Sequence, residues 1–280
     1  MKLFKLGVKF LKIFAYLVLK GKFLNNFKNL KISSETCYVL GNGPSLAVSL
    51  KNSKIENQKN IFVVNNFVLS EHYCLLKPKY YVFADPGYWD DTSHFEEYLK
   101  SQAILQKIAN ETNWEINIIA PISAEKCFRK HFSTKNNFKL YFVNKYCIDS
   151  KHKFVYFLYE NYYTCPCFQN VIVLVTFLAL NFGFKEINLL GVEHSWTENI
   201  RVNKENQVCL SDKHFYEIEA KLSPWIKLDG SVYKMSEILT DLSKMFRGYY
   251  YLKYYAKYKK AIIYNCTPNS YIDAFERKLL

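Results

Sequence analysis

Seven short apolar runs constrain this chain more than any other feature. They are "CYVLG" (37–41), "IFVVN" (61–65), "YYVFAD" (80–85), "INIIA" (116–120), "KLYFVN" (139–144), "EINLLG" (186–191) and "AIIYN" (261–265). Continuous apolar runs, rather than an in-out alternation, belong to strands covered on both faces, and that is the habit of parallel sheets with crossover connections. Helical periodicity in 94–109, an apolar helix from Asn170 to about Asn181 ending at Gly183, and a long helix over Val232–Lys257 supply the covering layers. A further helix is expected from about Ser270, and the stretch from Lys145 to Pro166, which has no clear period, is expected to be a lid or inserted loop. No internal repeat and no Gly/Ser-rich linker divides the chain. The expected fold is therefore α/β: a single Rossmann-like domain over residues 33–280 with a mostly parallel sheet.

In open α/β sheets ligands bind at the carboxyl ends of the strands. Two such ends carry polar chemistry. "GNGPSL" (41–46) follows the first run, and glycines on either side of an asparagine leave backbone N–H groups that could meet a phosphate or a sugar. The alternative is a tight strand-to-helix turn that holds nothing. The sixth run ends in Glu193, His194 and Trp196, and these two edges are expected to face one crevice.

Charge is unevenly distributed. Of 38 basic residues, eight lysines precede the first acid, Glu35; without them 30 basic residues face 25 acidic ones. Lys2, Lys5, Lys9 and Lys12 recur at helical spacing against Leu3, Phe4, Leu6, Phe10, Ile13, Phe14 and Leu17. The longest uncharged run here, Ile13–Leu19, falls far short of the ~20 residues that span a bilayer. Residues 1–32 are thus expected to form a basic amphipathic helix on an anionic membrane surface, the alternative being a first helix packed on the body. Eight scattered cysteines, with Cys165-Pro-Cys167 the closest pair, read as free thiols of a reducing cytoplasm rather than a metal site.

Taken in order, "GNGPSL", "VNNF" (64–67), "ADPG" (84–87), "LNFGFKEINLLGVE" (180–193) and "IYNCTPNSYIDAF" (263–275) resemble the motifs of bacterial sialyltransferases of glycosyltransferase family 42. A looser resemblance is to MptE-like and motility-accessory glycosyltransferase proteins. The resemblance implies a GT-A-like variant of the α/β fold that moves a sugar, sialic acid or a related acidic sugar, from a CMP-linked donor without a metal or other cofactor. It implies a cell-surface glycan acceptor, lipooligosaccharide or polysaccharide, at the inner membrane face of the cytoplasm, with a homo-oligomer also in view and no nucleic acid as partner. It places Asn42 and Gly43 against the donor phosphate and ribose, and Asn65 on the nucleotide. Gly41, Ser45 and Asn170 are grouped with them, and Asp85 stands where the family has an asparagine near the donor; a carboxylate accepts hydrogen bonds where the amide would donate, so a nucleotide other than cytidine is the alternative.

Two departures carry chemistry. Where the family steadies the leaving phosphate with tyrosines, this chain has Ser195 and a position near Arg201, so Arg201 or a protonated His194 is expected to take that role. The family's base histidine is missing at Ser231. His214, with Asp212 two residues before it, is the expected base, with His194 and then Asp85 as alternatives. "WDDTSH" (89–94) reads as a solvated helix entry rather than a metal site. Two rival functions remain: an Mg2+-dependent MptE-like pyrophosphokinase, and a nucleic-acid-binding protein suggested by the tyrosines and cations of "RGYYYLKYYAKYKK" (247–260).

Overall fold

The computed structural model describes residues 27, 30, 32, 34–52, 55–91, 95–212, 215–216, 221–227 and 229–280. The expected N-terminal helix therefore lies almost wholly outside the described residues. Its described end does not stand apart from the body: Phe27 is buried against Tyr141, Tyr162 and Phe182, and Leu30 and Ile32 pack on the same cluster.

All seven apolar runs form strands: β1 (Thr36–Leu40), β2 (Ile61–Val64), β3 (Tyr80–Val82), β4 (Ile116–Pro121), β5 (Phe138–Val143), β6 (Glu186–Leu190) and, after three short strands β7–β9, β10 (Ile262–Asn265). With β11 (Glu276–Arg277) they make one eight-stranded sheet in the order β11-β10-β6-β1-β2-β3-β4-β5, every pair parallel. Successive strand residues face opposite layers. Val39, Phe62, Val64, Tyr80 and Val82 belong to one core, and Leu40, Ile61, Val63, Tyr81 and Phe83 to the other.

Eight α-helices follow in chain order among the described residues: α1 (Leu46–Asn52), α2 (His72–Leu76), α3 (Phe95–Glu111), α4 (Glu125–Phe132), α5 (Lys153–Glu160), α6 (Val171–Phe182), α7 (Trp196–Asn199) and α8 (Met235–Tyr258). Helix α6 buries every residue but Asn181. It begins on the side chain of Asn170, which accepts from the Val173 N–H at 3.0 Å, and stops at Gly183 in the left-handed region, φ 101°. Its neighbour α8 comes close because Gly248 leaves room for the Cys167 carbonyl and the Val173 side chain.

Three expectations are corrected. The Lys145–Pro166 stretch is not an irregular lid: α5 lies within it and buries Val155, Tyr156, Leu158 and Tyr159 in the core. No helix starts at Ser270. Asn265 holds Ser270 and Ile272, Ser270 donates to the Val192 carbonyl, and Arg277 reaches the carbonyls of Thr267 and Ser270, so side-chain bonds strap the segment onto β6 in place of a helix. Third, β7 (Ile200–Val202), β8 (Val208–Asp212) and β9 (Lys221–Pro224) form a separate antiparallel sheet that no apolar run announced.

Candidate active site

The chain leaves β1 towards β2 through β5 on one side and returns through β6 and β10 on the other, so the strand order reverses between β1 and β6. A crevice opens there, as it does at such switch points generally. Its volume is about 830 Å3, and the loops after β1, β2, β3 and β6, the start of α6, the small sheet and the first half of α8 line it.

The "GNGPS" turn solves a packing problem at this point. Gly41 and Gly43 donate their N–H groups to the carbonyls of Leu190 and Gly191, at 2.8 and 2.9 Å, so the two loops are laced together. A Cβ on Gly41 would lie 2.3 Å from the Gly191 oxygen, and one on Gly43 would lie 1.5 Å from Oε2 of Glu193. Both glycines are therefore required by close approach, and their amides are already used. The expectation that the two glycine amides stay free for a phosphate is corrected. A carboxylate fills the turn instead, Glu193 Oε1 accepting from the Ser45 N–H at 2.6 Å.

Side chains supply what the amides do not. Asn42 donates from Nδ2 to the Val64 carbonyl, and Asn65 holds a left-handed backbone, φ 50°, with its carbonyl accepting from Tyr81. The buried oxygens Asn42 Oδ1, Asn65 Oδ1 and Glu193 Oε2 find no hydrogen-bond partner among the described residues, nor does the hydroxyl of Ser45 behind them. Each such atom costs about 1–3 kcal/mol if nothing completes it. Asp85 is exposed at the rim, where its Oδ1 accepts from the Gly87 N–H at 2.9 Å.

His194 is held at φ 54° with Trp196 stacked on its ring, centroids 4.6 Å apart. Its Nε2 meets the hydroxyl of Tyr249 and lies 3.3 Å from Nδ2 of Asn170. Asn170 Oδ1 caps α6, so its Nδ2 faces the ring and also donates to the Tyr249 oxygen at 3.1 Å. The Tyr249 hydroxyl lies between His194 Nε2 and Asn170 Oδ1, the latter at 3.4 Å, so the three side chains share one hydrogen-bonded cluster. Nδ1 of the ring bonds to no described residue. Burial pushes the pKa of His194 down to about 3. The expectation of a protonated His194 is corrected on that ground, since an imidazole this deep is a neutral donor and a weak base.

Gly41, Asn42, Gly43 and Asn65 from one side, and Asp85, Asn170 and His194 from the others, thus meet in one crevice, with Ser45 just behind its wall. Arg201 does not join them. It is exposed on β7, its guanidinium donating to the carbonyls of Glu198 and Ile200, and it does not line the crevice. His214 lies outside the described residues. Sequence reasoning missed Tyr249, one of six tyrosines between 249 and 258 that it did not tell apart, and the flap formed by Trp225, Tyr233 and Lys227, the last paired to Glu237 at 2.7 Å. Glu193 was visible at the strand edge, but only the contact with Gly43 gives it a role. Among the described residues no three His, Cys, Asp or Glu side chains gather as a metal site; the Cys147 and Cys165 sulfurs lie 3.8 Å apart as free thiols.

No protein-family model and no curated protein sequence matches the chain. Among solved structures it is similar to two from Campylobacter jejuni. One is the monofunctional alpha-2,3-sialyltransferase Cst-I, at 17% identity and TM-score 0.43 over 88% of this chain and 82% of that one. The other is the sialyltransferase CstII in complex with a substrate analogue, cytidine-5'-monophosphate, at 17% identity and TM-score 0.44 over 88% and 86%. Overlap at this level says nothing about chemistry, which rests on the side chains of the crevice.

Proposed function

We propose that the crevice binds a nucleotide sugar and that the protein is a glycosyltransferase. The observation that carries this is the set of buried oxygens of Asn42, Asn65 and Glu193 that have no partner among the described residues, at the switch point of a parallel sheet. Acceptors without donors call for a ligand rich in hydroxyl and amino hydrogens, which a ribose and an aminated base provide. Cytosine carries a 4-amino donor where uracil carries an oxygen, so this lining favours a CMP-linked donor over a UDP-linked one. The order of the sequence motifs favours the same donor.

In the proposed reaction an acceptor hydroxyl attacks the anomeric carbon, the bond from that carbon to the phosphate oxygen breaks, and the nucleotide leaves with the bonding pair. The hydroxyl proton passes to a base. His214 keeps that role in the proposal, with the Asp85 carboxylate as the alternative; His194, neutral and with Nε2 occupied, is a hydrogen-bond donor rather than a base. No metal is needed in this scheme, and the acceptor is proposed to be a glycan at a membrane surface.

A thermal-shift series with CMP, UMP, UDP, GDP, dTDP and ATP tests the binding step, because a ligand raises Tm according to its affinity. CMP is expected to give the largest rise. A shift with UMP as large as that with CMP would refute the role given to the acceptor atoms, and a rise with ATP and Mg2+ alone would favour phosphoryl transfer. His214→Ala is expected to lower turnover about a hundredfold with little change in nucleotide affinity.

A further inference from the structure

Beyond the crevice, the second half of α8 carries a surface that the reaction does not use. Lys253 and Lys257 are exposed there with Arg247 and Lys260, and Lys151 and Lys153 stand exposed at the start of the adjoining α5. None of these six cations pairs with a carboxylate among the described residues. Aromatic side chains are set among them. Tyr250, Tyr254 and Tyr258 recur one helical turn apart, 38%, 38% and 41% exposed, and Phe157 of α5 is 53% exposed. The two helices form one face, since Tyr156 packs on Tyr258 and the Lys151 ammonium lies 3.6 Å from the centre of the Tyr254 ring.

We propose that this face docks on an anionic lipid bilayer. Unpaired cations set the charge of the partner, and rings with polar tips suit the headgroup level, where one end of the side chain is apolar and the other wet. Single-stranded nucleic acid has the same charge, but it needs free ring faces on which bases can stack. Two of the three tyrosine rings are already engaged: the Lys151 ammonium lies over Tyr254, and Tyr258 packs on Tyr156 and Tyr255, while the Tyr258 and Tyr250 hydroxyls are held by Glu160 and Asp273. The face is also joined rigidly to the crevice. Leu242 of the same helix lines the crevice, twelve residues and so about 18 Å from Tyr254. Docking would hold the crevice a short, fixed distance above the lipid, within reach of a membrane-borne headgroup.

The test uses the full chain and sedimentation with phosphatidylcholine vesicles, with and without about 30% phosphatidylglycerol, at about 0.1 M salt. Lys253→Gln/Lys257→Gln is compared with Lys126→Gln/Lys130→Gln, an equal charge change on the exposed side of α4. The α8 pair is expected to weaken binding to the anionic vesicles by roughly thirtyfold, and the α4 pair by less than threefold. Phe157→Ser is expected to weaken it further without changing net charge. Equal losses from the two lysine pairs would overturn the proposal by showing attraction to net charge alone. So would wild-type binding that ignores the α8 pair, or retention on an oligonucleotide with a steep salt dependence and none on vesicles. Unchanged unfolding transitions in the variants confirm that the comparison is between folded proteins.

Discussion

Acid should weaken this fold through His194, and the size of the effect follows from its burial. In the native state burial holds its pKa at about 3, whereas in the unfolded chain the ring titrates near 6.5. The native pKa is the depressed one, so below pH 6.5 the unfolded chain takes up a proton that the native ring refuses. Stability from this source is complete above pH 6.5 and is lost as the pH falls towards 3. At pH 5 the native ring stays neutral for any native pKa below about 4, so the unfolded chain sets the size of the loss. Between pH 7 and pH 5 it amounts to about 2 kcal/mol. Urea unfolding at pH 5, 6, 7 and 8 measures it, with His194→Asn as reference, because asparagine tolerates the left-handed backbone at φ 54° and does not titrate. The variant is expected to be less stable at pH 7 by about 1–3 kcal/mol, the cost of removing the buried bond between the imidazole and the Tyr249 hydroxyl. Carboxylates elsewhere titrate alike in both proteins and cancel in the difference. Wild type and variant should therefore converge by about 2 kcal/mol from pH 7 to pH 5. Parallel curves would refute the neutral, buried imidazole.

Gly41→Ala should destabilise more than Gly43→Ala, because the first Cβ would lie 2.3 Å from the backbone oxygen of Gly191 and the second 2.8 Å from that oxygen, its worst contact being with the Glu193 side chain. Gly43→Ala should instead cost about 1–3 kcal/mol and weaken nucleotide binding as Glu193 swings off the Ser45 amide; urea unfolding and calorimetry separate the two, and equal losses would contradict the lacing of the loops. Phe27→Ala should cost about 3–5 kcal/mol in urea, since its ring is stacked among Tyr141, Tyr162 and Phe182; a loss under 1 kcal/mol would place it outside the core. Arg201→Ala should leave turnover of a soluble acceptor within about threefold, because the guanidinium bonds to surface carbonyls. A hundredfold fall would return it to the leaving group, general electrostatic assistance being worth that much.

Sequence alone determined the layered body. Apolar runs such as "IFVVN" and "EINLLG" carry their burial in their composition, and the Asn170 and Gly183 caps are local signals that need nothing beyond the helix they bound. Sequence also set the ends of β1 and β6 to face one crevice, because ligands of open parallel sheets bind at the carboxyl ends of strands, while the order that puts β1 beside β6 was decided by the tertiary structure. Tertiary structure decided what the crevice residues do. The Gly41 and Gly43 amides looked free because the carbonyls that take them, Leu190 and Gly191, lie about 150 residues away in sequence. His194 looked like a cation because a single letter does not disclose burial, and burial is what removes its charge. Tyr249 was hidden for the converse reason. Six tyrosines between 249 and 258 are alike in sequence, and only the packing of α8 against α6 turns Tyr249 and Tyr255 inward while Tyr250, Tyr254 and Tyr258 remain on the surface.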